Sequence, residues 1–186
     1  MKRGLLVFKD IFLVGLLLFV FSVQGLAQKE TRKERKAREK KERAALFELA
    51  KQMIKDSAFI IPVDRIVLKG GVSSNVVSTI NFIKVYRDKG VLQIAPTHSS
   101  NLGANGLGGV TINGNITKYE VTDKGNKIYV TVYLKDTLGH AIMNISLYGG
   151  ANVTVDVSGM FSGPAFTMYG EINSLGDVHI YEGSSF

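Results

Sequence analysis

The side chains that most often carry chemistry are sparse in this chain and lie far apart. The three histidines, His98, His140 and His179, fall in different predicted elements, and no two are spaced to share one turn of a helix. The chain has no cysteine, so thiolate metal sites cannot form. We therefore predict neither a metal site nor a bound cofactor.

Carboxylates are the remaining candidates for acid–base chemistry. Asp64, Asp156 and Glu171 lie in predicted strands, and two of them could act as general acid and base only if the fold brings them together. No Ser, His and Asp stand in the context of a strained nucleophile turn. The sequence therefore predicts no catalytic residue, and a hydrolase with dispersed carboxylates is kept as a further alternative.

A glycine-rich stretch, residues 90–115, separates the predicted strands into two groups. Phosphate-binding loops lead into a helix whose N-terminus faces the anion. Here a strand of β-branched residues begins at Val110, which favours a structural connection. The polar loop residues His98, Asn101 and Asn105 are the predicted contacts to a ligand or partner. Glycines that permit close backbone approach are Gly103, Gly106, Gly108, Gly109 and Gly114.

The first 27 residues have the three parts of a signal peptide. Lys2 and Arg3 give a basic start, residues 11–21 are almost entirely apolar, and small residues lead to Ala27. The apolar core is only about half of the roughly 20 residues that a bilayer-spanning helix needs. We predict cleavage between Ala27 and Gln28 and a periplasmic or secreted protein that does not span the membrane afterwards. Without cysteine, no lipid anchor is expected at the cleavage site.

The positive charge is concentrated near the N-terminus. The net charge of +7 comes from the leader and from residues 29–45, which carry nine basic and four acidic side chains. Residues 46–186 carry eleven of each sign. This distribution argues against a nucleic-acid-binding domain. It leaves a contact of residues 29–45 with an anionic surface as a hypothesis.

Residues 28–55 are the predicted helical segment, with the helix itself over 29–55. The segment holds no Gly or Pro and is rich in strong helix formers. Its first half has no apolar face and is expected to be solvated. Its second half carries a broad apolar stripe that should dock on the folded domain. The stripe consists of Leu46, Phe47, Leu49, Ala50, Met53 and Ile54.

From residue 56 onward the apolar spacing changes to the period of two that is typical of β-strands. Predicted strands cover 59–69, 79–87, 91–95, 110–122, 127–135, 139–148, 151–157 and 166–172, and a short one at 178–181 would be the last. Pro62 indicates an edge or a bulge in the first strand. Because short turns join the strands, we predict a mostly β fold over 56–186, preceded by one long N-terminal α-helix. It would be an antiparallel β-sandwich or partly closed barrel of seven to nine strands.

Two short motifs are the most specific in the chain: Gln93-Ile94-Ala95, and the run from Asn105 to Ile112. With the flanking strands and the turn Asp123-Lys124-Gly125-Asn126, they resemble an uncharacterised family of exported Bacteroidota proteins, domain of unknown function 4251 (DUF4251). The resemblance covers residues 40–182 and is weakest at 158–163. It implies a cell-envelope or secreted location and supplies no catalytic residue.

Two functions fit the sequence besides the hydrolase. One is a non-enzymatic domain that binds a ligand or an envelope protein through the glycine-rich stretch and a polar sheet face. The other is a structural or interaction protein tethered by its basic helix. A deep cavity lined by Thr, Tyr and Asn would favour the first, and a filled interior with an exposed apolar patch would favour the second. Two carboxyl groups about 5–10 Å apart in a cleft would favour the hydrolase.

Overall fold

The computed structural model describes residues 31–95, 107, 109–137, 139–159 and 165–184. The chain divides into two compact units, Met1–Lys40 and Lys41–Phe186. The second unit contains the later part of one α-helix and every described strand. Among the described residues, no helix combines the length and the apolar character needed to cross a membrane.

Helix α1 runs from Arg32 to Lys55. Thr31 and Glu34 form a capping box at its start. The Thr31 hydroxyl accepts a hydrogen bond of 3.2 Å from the Glu34 amide, and the Glu34 carboxylate accepts one of 2.8 Å from the Thr31 amide. The hydrogen bond from the Thr31 backbone lowers the pKa of Glu34. The described helix begins at Arg32 with Thr31 as its cap, and residues 29 and 30 of the predicted helix lie outside the described residues.

Only one side of the predicted apolar stripe of α1 is buried. Phe47, Ala50 and Ile54 lie in the core of the second unit, at spacings of three and four residues that put them on one helix face. Leu46 and Leu49 are 47% and 61% exposed, so the prediction that they dock is wrong. Each directly precedes a buried residue, which turns it about 100° away around the helix axis.

Nine strands follow the helix in the described chain. They are β1 (Ala58–Leu68), β2 (Ser73–Asn75), β3 (Phe82–Tyr86), β4 (Lys89–Ile94), β5 (Val110–Asp123), β6 (Lys127–Lys135), β7 (His140–Tyr148), β8 (Asn152–Ser158) and β9 (Phe166–Glu171). These strands pair antiparallel, and β9 pairs back with β1. Eight of them therefore close into a barrel, and β2 is added beside β1. The predicted mostly β, antiparallel fold with one N-terminal helix is confirmed, and the architecture is a closed barrel.

The barrel interior is filled by its own side chains. Alternate residues of β6, β7 and β8 are buried, as the pleat of a strand requires. These inward side chains join Phe47, Ala50 and Ile54 of α1 in one apolar cluster. Burial of apolar surface contributes about 25 cal/mol per Å². Because the chain has no cysteine, this packing stabilises the fold without disulfides.

The region around Pro62 differs in part from the sequence prediction. The register of β1 against β9 shifts between Val63 and Arg65, which confirms a bulge near Pro62. The unpredicted strand β2 pairs with the second half of β1. The strand predicted at 79–87 begins only at Phe82, because the amides of Ile80 and Asn81 bond the carbonyl oxygen of Val77 and form a turn before it.

Residues 172–184, here called the C-terminal segment, cover the outer face of β1, β3 and β4. Leu175, Val178 and Ile180 pack against a second buried cluster. That cluster consists of Ile60, Phe82 and Val91. The predicted short strand at 178–181 does not form, because this segment is held by side-chain packing and by isolated backbone hydrogen bonds.

Gln93 of β4 fixes the C-terminal segment to the barrel. Its buried amide group donates hydrogen bonds to the carbonyl oxygens of Ile80 at 2.9 Å and Tyr181 at 2.7 Å. Its oxygen accepts hydrogen bonds from the Thr111 hydroxyl at 3.0 Å and the Gly183 amide at 2.7 Å. A buried amide that is satisfied on both sides specifies one arrangement of its neighbours. The motif at 93–95 therefore has a structural role.

Two glycines of the glycine-rich stretch allow close backbone contact, as the sequence predicted. A Cβ atom on Gly109 would collide with the carbonyl oxygen of Ile94, and one on Gly114 with that of Lys135. Positions 103, 106 and 108 lie outside the described residues. The end of the stretch thus serves backbone packing between β4, β5 and β6.

Candidate functional site

The contacts predicted from the sequence fall outside the part of the chain that the structure describes. His98, Asn101 and Asn105 belong to the undescribed part of the glycine-rich stretch. The cleavage site at Ala27 and Gln28 also lies outside it. These assignments therefore stay predictions.

The two described histidines lie in separate elements. His140 begins β7 and His179 belongs to the C-terminal segment, and both are exposed. Within residues 31–95 and the later described ranges, no group of three or more His, Asp or Glu side chains could hold a metal ion.

The three candidate carboxylates are exposed on the neighbouring strands β1, β8 and β9. Asp156 accepts a hydrogen bond of 2.7 Å from the Thr167 hydroxyl. Glu171 stands opposite Asn152 at the end of the β8–β9 ladder. Of the three, only Asp64 lines a cleft between these strands.

This cleft, here called the outer cleft, opens on the outside of β1, β8 and β9. Its volume of about 370 Å³ falls within the range of small-molecule sites, about 300–1,000 Å³. Its walls are polar and aromatic. They are formed mainly by Asp64, Arg65, Tyr148, Asn152, Thr154 and Tyr169, with Val153 and Gly170 completing the lining. The outer cleft is thus lined by Thr, Tyr and Asn side chains, but it is an open cleft on the outside of the barrel rather than the deep cavity that was expected of a ligand-binding domain.

The bulge in β1 places Asp64 and Arg65 side by side on the outer face. Val63 pairs with Gly170 and Arg65 pairs with Tyr169, so Asp64 is the extra residue. In a regular strand these two neighbours would point to opposite faces. A bulge redirects side chains in this way, and bulges are over-represented next to functional sites.

Outward side chains form a row that crosses five strands. Tyr129 of β6 opposes Ser146 of β7, and Ser146 opposes Thr154 of β8. Thr154 in turn opposes Tyr169 of β9, and Tyr169 opposes Arg65 of β1. At about 4.8 Å between strands, this row is about 19 Å long. The Arg65 guanidinium lies 3.8 Å from the centroid of the Tyr169 ring, a cation–π contact that orients its donors.

Tyr148 is an exposed aromatic wall of the outer cleft. Its side chain is 47% exposed, and the ring of Tyr129 meets it edge-on with centroids 6.2 Å apart. The Lys127 ammonium lies 5.2 Å from the centroid of the same ring. Desolvation and the neighbouring Tyr148 hydroxyl raise the pKa of Tyr129. The edge contact between the two rings restrains Tyr148.

Two other cavities lie in the second unit. A groove of about 340 Å³ between α1 and the C-terminal segment is lined by the exposed Leu46 and Leu49 and by Met53. A basin of about 460 Å³ beside β4, β5 and β6 is lined by Lys89, Lys135 and Asp136 together with amide and hydroxyl groups. The groove is an exposed apolar patch, the feature that would accompany an interaction protein.

A family model described as "Domain of unknown function (DUF4251)" matches residues 41–172. The chain belongs to the DUF4251 family. In this DUF4251 protein the match contains all nine described strands and every wall of the outer cleft. The chain is also similar to the crystal structure of a DUF4251 family protein from Bacteroides eggerthii DSM 20697, with 26% identity and a TM-score of 0.63. That likeness covers 77% of this chain and 97% of the other.

The search of curated proteins gave no match. The resemblance to DUF4251 that the sequence motifs carried is confirmed by the family match. The family description assigns no substrate, ligand or partner.

Sequence reasoning predicted a polar sheet face but missed most of the outer cleft. Arg65, Tyr148, Asn152, Thr154 and Tyr169 come from four strands, and only the closed barrel brings them together. One local signal was present. Two successive charged residues at 64 and 65 interrupt an alternating strand, which is the pattern that a bulge produces.

Proposed function

We propose that this DUF4251 protein is an exported, non-enzymatic binding protein whose ligand occupies the outer cleft. The observation that carries the proposal is a polar and aromatic concavity on a barrel whose interior is taken up by its own side chains. Binding sites commonly combine aromatic surface with a few placed polar groups. The outer cleft has this composition, and the barrel supplies rigid strands to hold it.

Export is proposed from the leader at 1–27. The basic start, the apolar core and the small residues before Gln28 support cleavage at Ala27. The intact mass of the protein isolated from envelope and culture fractions tests this. We expect the mass of a chain that begins at Gln28, whereas an unprocessed chain in the cytosol would contradict export.

The absence of catalysis is proposed from the placement of the carboxylates. A glycosidase-type hydrolysis uses two carboxyl groups on either side of one bond. Asp64 lines the outer cleft, whereas Asp156 and Glu171 do not line it. One carboxylate beside an arginine is better suited to holding a ligand by hydrogen bonds than to cleaving it.

Native mass spectrometry of protein purified under mild conditions tests the binding site. We expect a bound small molecule in the unmodified protein and its loss in the double variant Tyr148→Ala/Thr154→Ala. Tyr86→Ala is the matched control, because Tyr86 is 46% exposed and lies on β3, away from the outer cleft. A bound mass that persists in the double variant would place the ligand elsewhere.

A second function, attachment to an anionic surface, is favoured by α1. Residues 32–46 are all exposed and carry eight basic and three acidic side chains. Basic side chains near an anionic membrane contribute about 1 kcal/mol each. We expect Lys36→Gln/Lys40→Gln to weaken cosedimentation with phosphatidylglycerol vesicles, while Lys69→Gln/Lys135→Gln leaves it unchanged. Equal binding of the two variants would exclude a specific role for the helix.

A further inference from the structure

We propose that the ligand of the outer cleft is a neutral carbohydrate. This inference rests on the proposed function, because it names the class of molecule that the outer cleft binds. Three properties of the walls support it: their balanced charge, their mixture of hydrogen-bond donors and acceptors, and their aromatic surface.

The outer cleft carries no net charge. Its ionised walls are Asp64 and Arg65, one of each sign, and the bulge keeps them side by side. An anionic ligand would meet the Asp64 carboxylate as well as the Arg65 guanidinium, and a cationic ligand would meet the guanidinium as well as the carboxylate. These two walls therefore give no net electrostatic preference for a charged ligand.

The polar walls offer donors and acceptors close together. Asn152 and Thr154 each supply both kinds of group, Asp64 accepts and Arg65 donates. A sugar hydroxyl is itself a donor and an acceptor, so neighbouring hydroxyls on one ring can satisfy such a mixed set. An apolar ligand would leave these groups without partners, which disfavours it.

Tyr148 supplies the surface on which a sugar ring can rest. Sugars present C–H groups on the faces of the ring, and an aromatic side chain contacts such a face over a large area. The edge contact from Tyr129 holds the Tyr148 ring before a ligand arrives. An aromatic side chain that is already held in place loses little conformational entropy when a ligand binds to it.

The row of outward residues indicates an extended ligand. It continues from Arg65 and Tyr169 through Thr154 and Ser146 to Tyr129, beyond the outer cleft itself. A length of about 19 Å exceeds that of one sugar ring. We therefore expect the affinity for an oligosaccharide to rise with the number of its units.

The test is a titration of the purified protein with soluble neutral oligosaccharides of glucose, mannose, xylose and N-acetylglucosamine, up to about 10 mM. Amide NMR spectra report the site, and calorimetry reports the affinity. We expect at least one of these sugars to shift the amides of Tyr148, Asn152, Thr154 and Tyr169. Loss of the aromatic contact in Tyr148→Ala should weaken its binding by about three- to tenfold.

The matched control is Tyr86→Ala, which removes a tyrosine of almost equal exposure and should leave the affinity unchanged. Amide chemical shifts outside the outer cleft should match those of the unmodified protein, which shows that each variant is folded. An anionic oligogalacturonate and an uncharged hydrophilic peptide are titrated in parallel. If the oligogalacturonate or the peptide binds the outer cleft and the neutral sugars do not, the inference of a neutral carbohydrate is wrong and the binding site stands. If no probe shifts the outer cleft and native mass spectrometry finds no bound molecule, both proposals fail.

Discussion

The hydroxyl of Tyr119 in β5 donates a hydrogen bond of 2.7 Å to the carbonyl oxygen of Ile54 in the last turn of α1. The last carbonyl groups of a helix have no partner within it. Tyr119 therefore joins the helix end to the barrel. Tyr119→Phe keeps the ring and removes this bond, and we expect it to lower the free energy of unfolding by about 1 kcal/mol at neutral pH. Urea unfolding measures the change, and an unchanged midpoint would show that the bond contributes nothing.

The same tyrosine predicts a pH dependence on the alkaline side. Desolvation raises the pKa of Tyr119 to about 12, against about 10 in an unfolded chain. Between these values the unfolded chain has lost the proton that the folded chain keeps, so the free energy of unfolding falls as pH rises. We expect a steeper fall from about pH 10 to about pH 12 in the unmodified protein than in Tyr119→Phe. Identical slopes would mean that Tyr119 titrates alike in both states.

Because the second half of α1 docks through one face only, we expect two side-chain substitutions on it to differ in their effect on stability. Ile54 is 1% exposed within the apolar cluster, so Ile54→Ala should destabilise the protein by about 2–5 kcal/mol. Leu49 is 61% exposed, and Leu49→Ala should change the stability by less than about 0.5 kcal/mol. Thermal or urea unfolding compares the two. Equal losses would show that the helix packs differently from the described arrangement.

Gln93 predicts a coupled effect on stability and on the C-terminal segment. Gln93→Ala leaves several buried groups without partners, and we expect a loss of about 3 kcal/mol. The Gly183 amide, which bonds the Gln93 side chain, should also exchange its hydrogen faster. Gln52→Ala is the control, because exposed Gln52 donates its side-chain hydrogen bonds to the carboxylate of Asp56, about one helical turn away. Slow exchange at Gly183 in the Gln93 variant would contradict this role.

The close contact beside the bulge predicts that Gly170 tolerates no side chain. A Cβ atom there would collide with the carbonyl oxygen of Pro62, so Gly170→Ala should cost about 1–3 kcal/mol. A Cβ atom on Gly176 would meet open space, and Gly176→Ala should be nearly neutral. Unfolding curves of both variants test the contrast, and a neutral Gly170→Ala would imply that β1 and β9 can separate there.

Strand faces could be predicted because they depend on local pattern. Strand β6 was predicted with its observed limits, Lys127–Lys135, since its alternation separates a buried face from an exposed one. Strand β2 gave no such signal. Ser73, Ser74 and Asn75 are all exposed, and they form a strand only because β1 offers backbone partners. Leu46 and Leu49 show the reverse case, in which an apolar pattern was present but the predicted burial did not occur. Apolar character alone does not decide which face of a helix packs against the rest of the fold.

Barrel closure and the outer cleft depend on contacts that no local pattern contains. Whether β9 returns to β1 is decided by the accumulated tilt and register of all the strands. Gln93 is buried on the outer side of β4 only because a segment some ninety residues later in the chain covers it. The site residues His98, Asn101 and Asn105 lie outside the described residues and remain predictions, as does the cleavage between Ala27 and Gln28.

The pairing of β9 with β1 has a consequence for biosynthesis. A ribosome releases the first strand long before the last, so the nascent chain waits with its sheet open until about a hundred further residues have emerged. During that interval the edges of β1 and of the newest strand are free to pair with other chains. A premature stop codon before residue 166 would make this open state permanent. Shortened products should therefore aggregate or be degraded, even though they retain most of the apolar core.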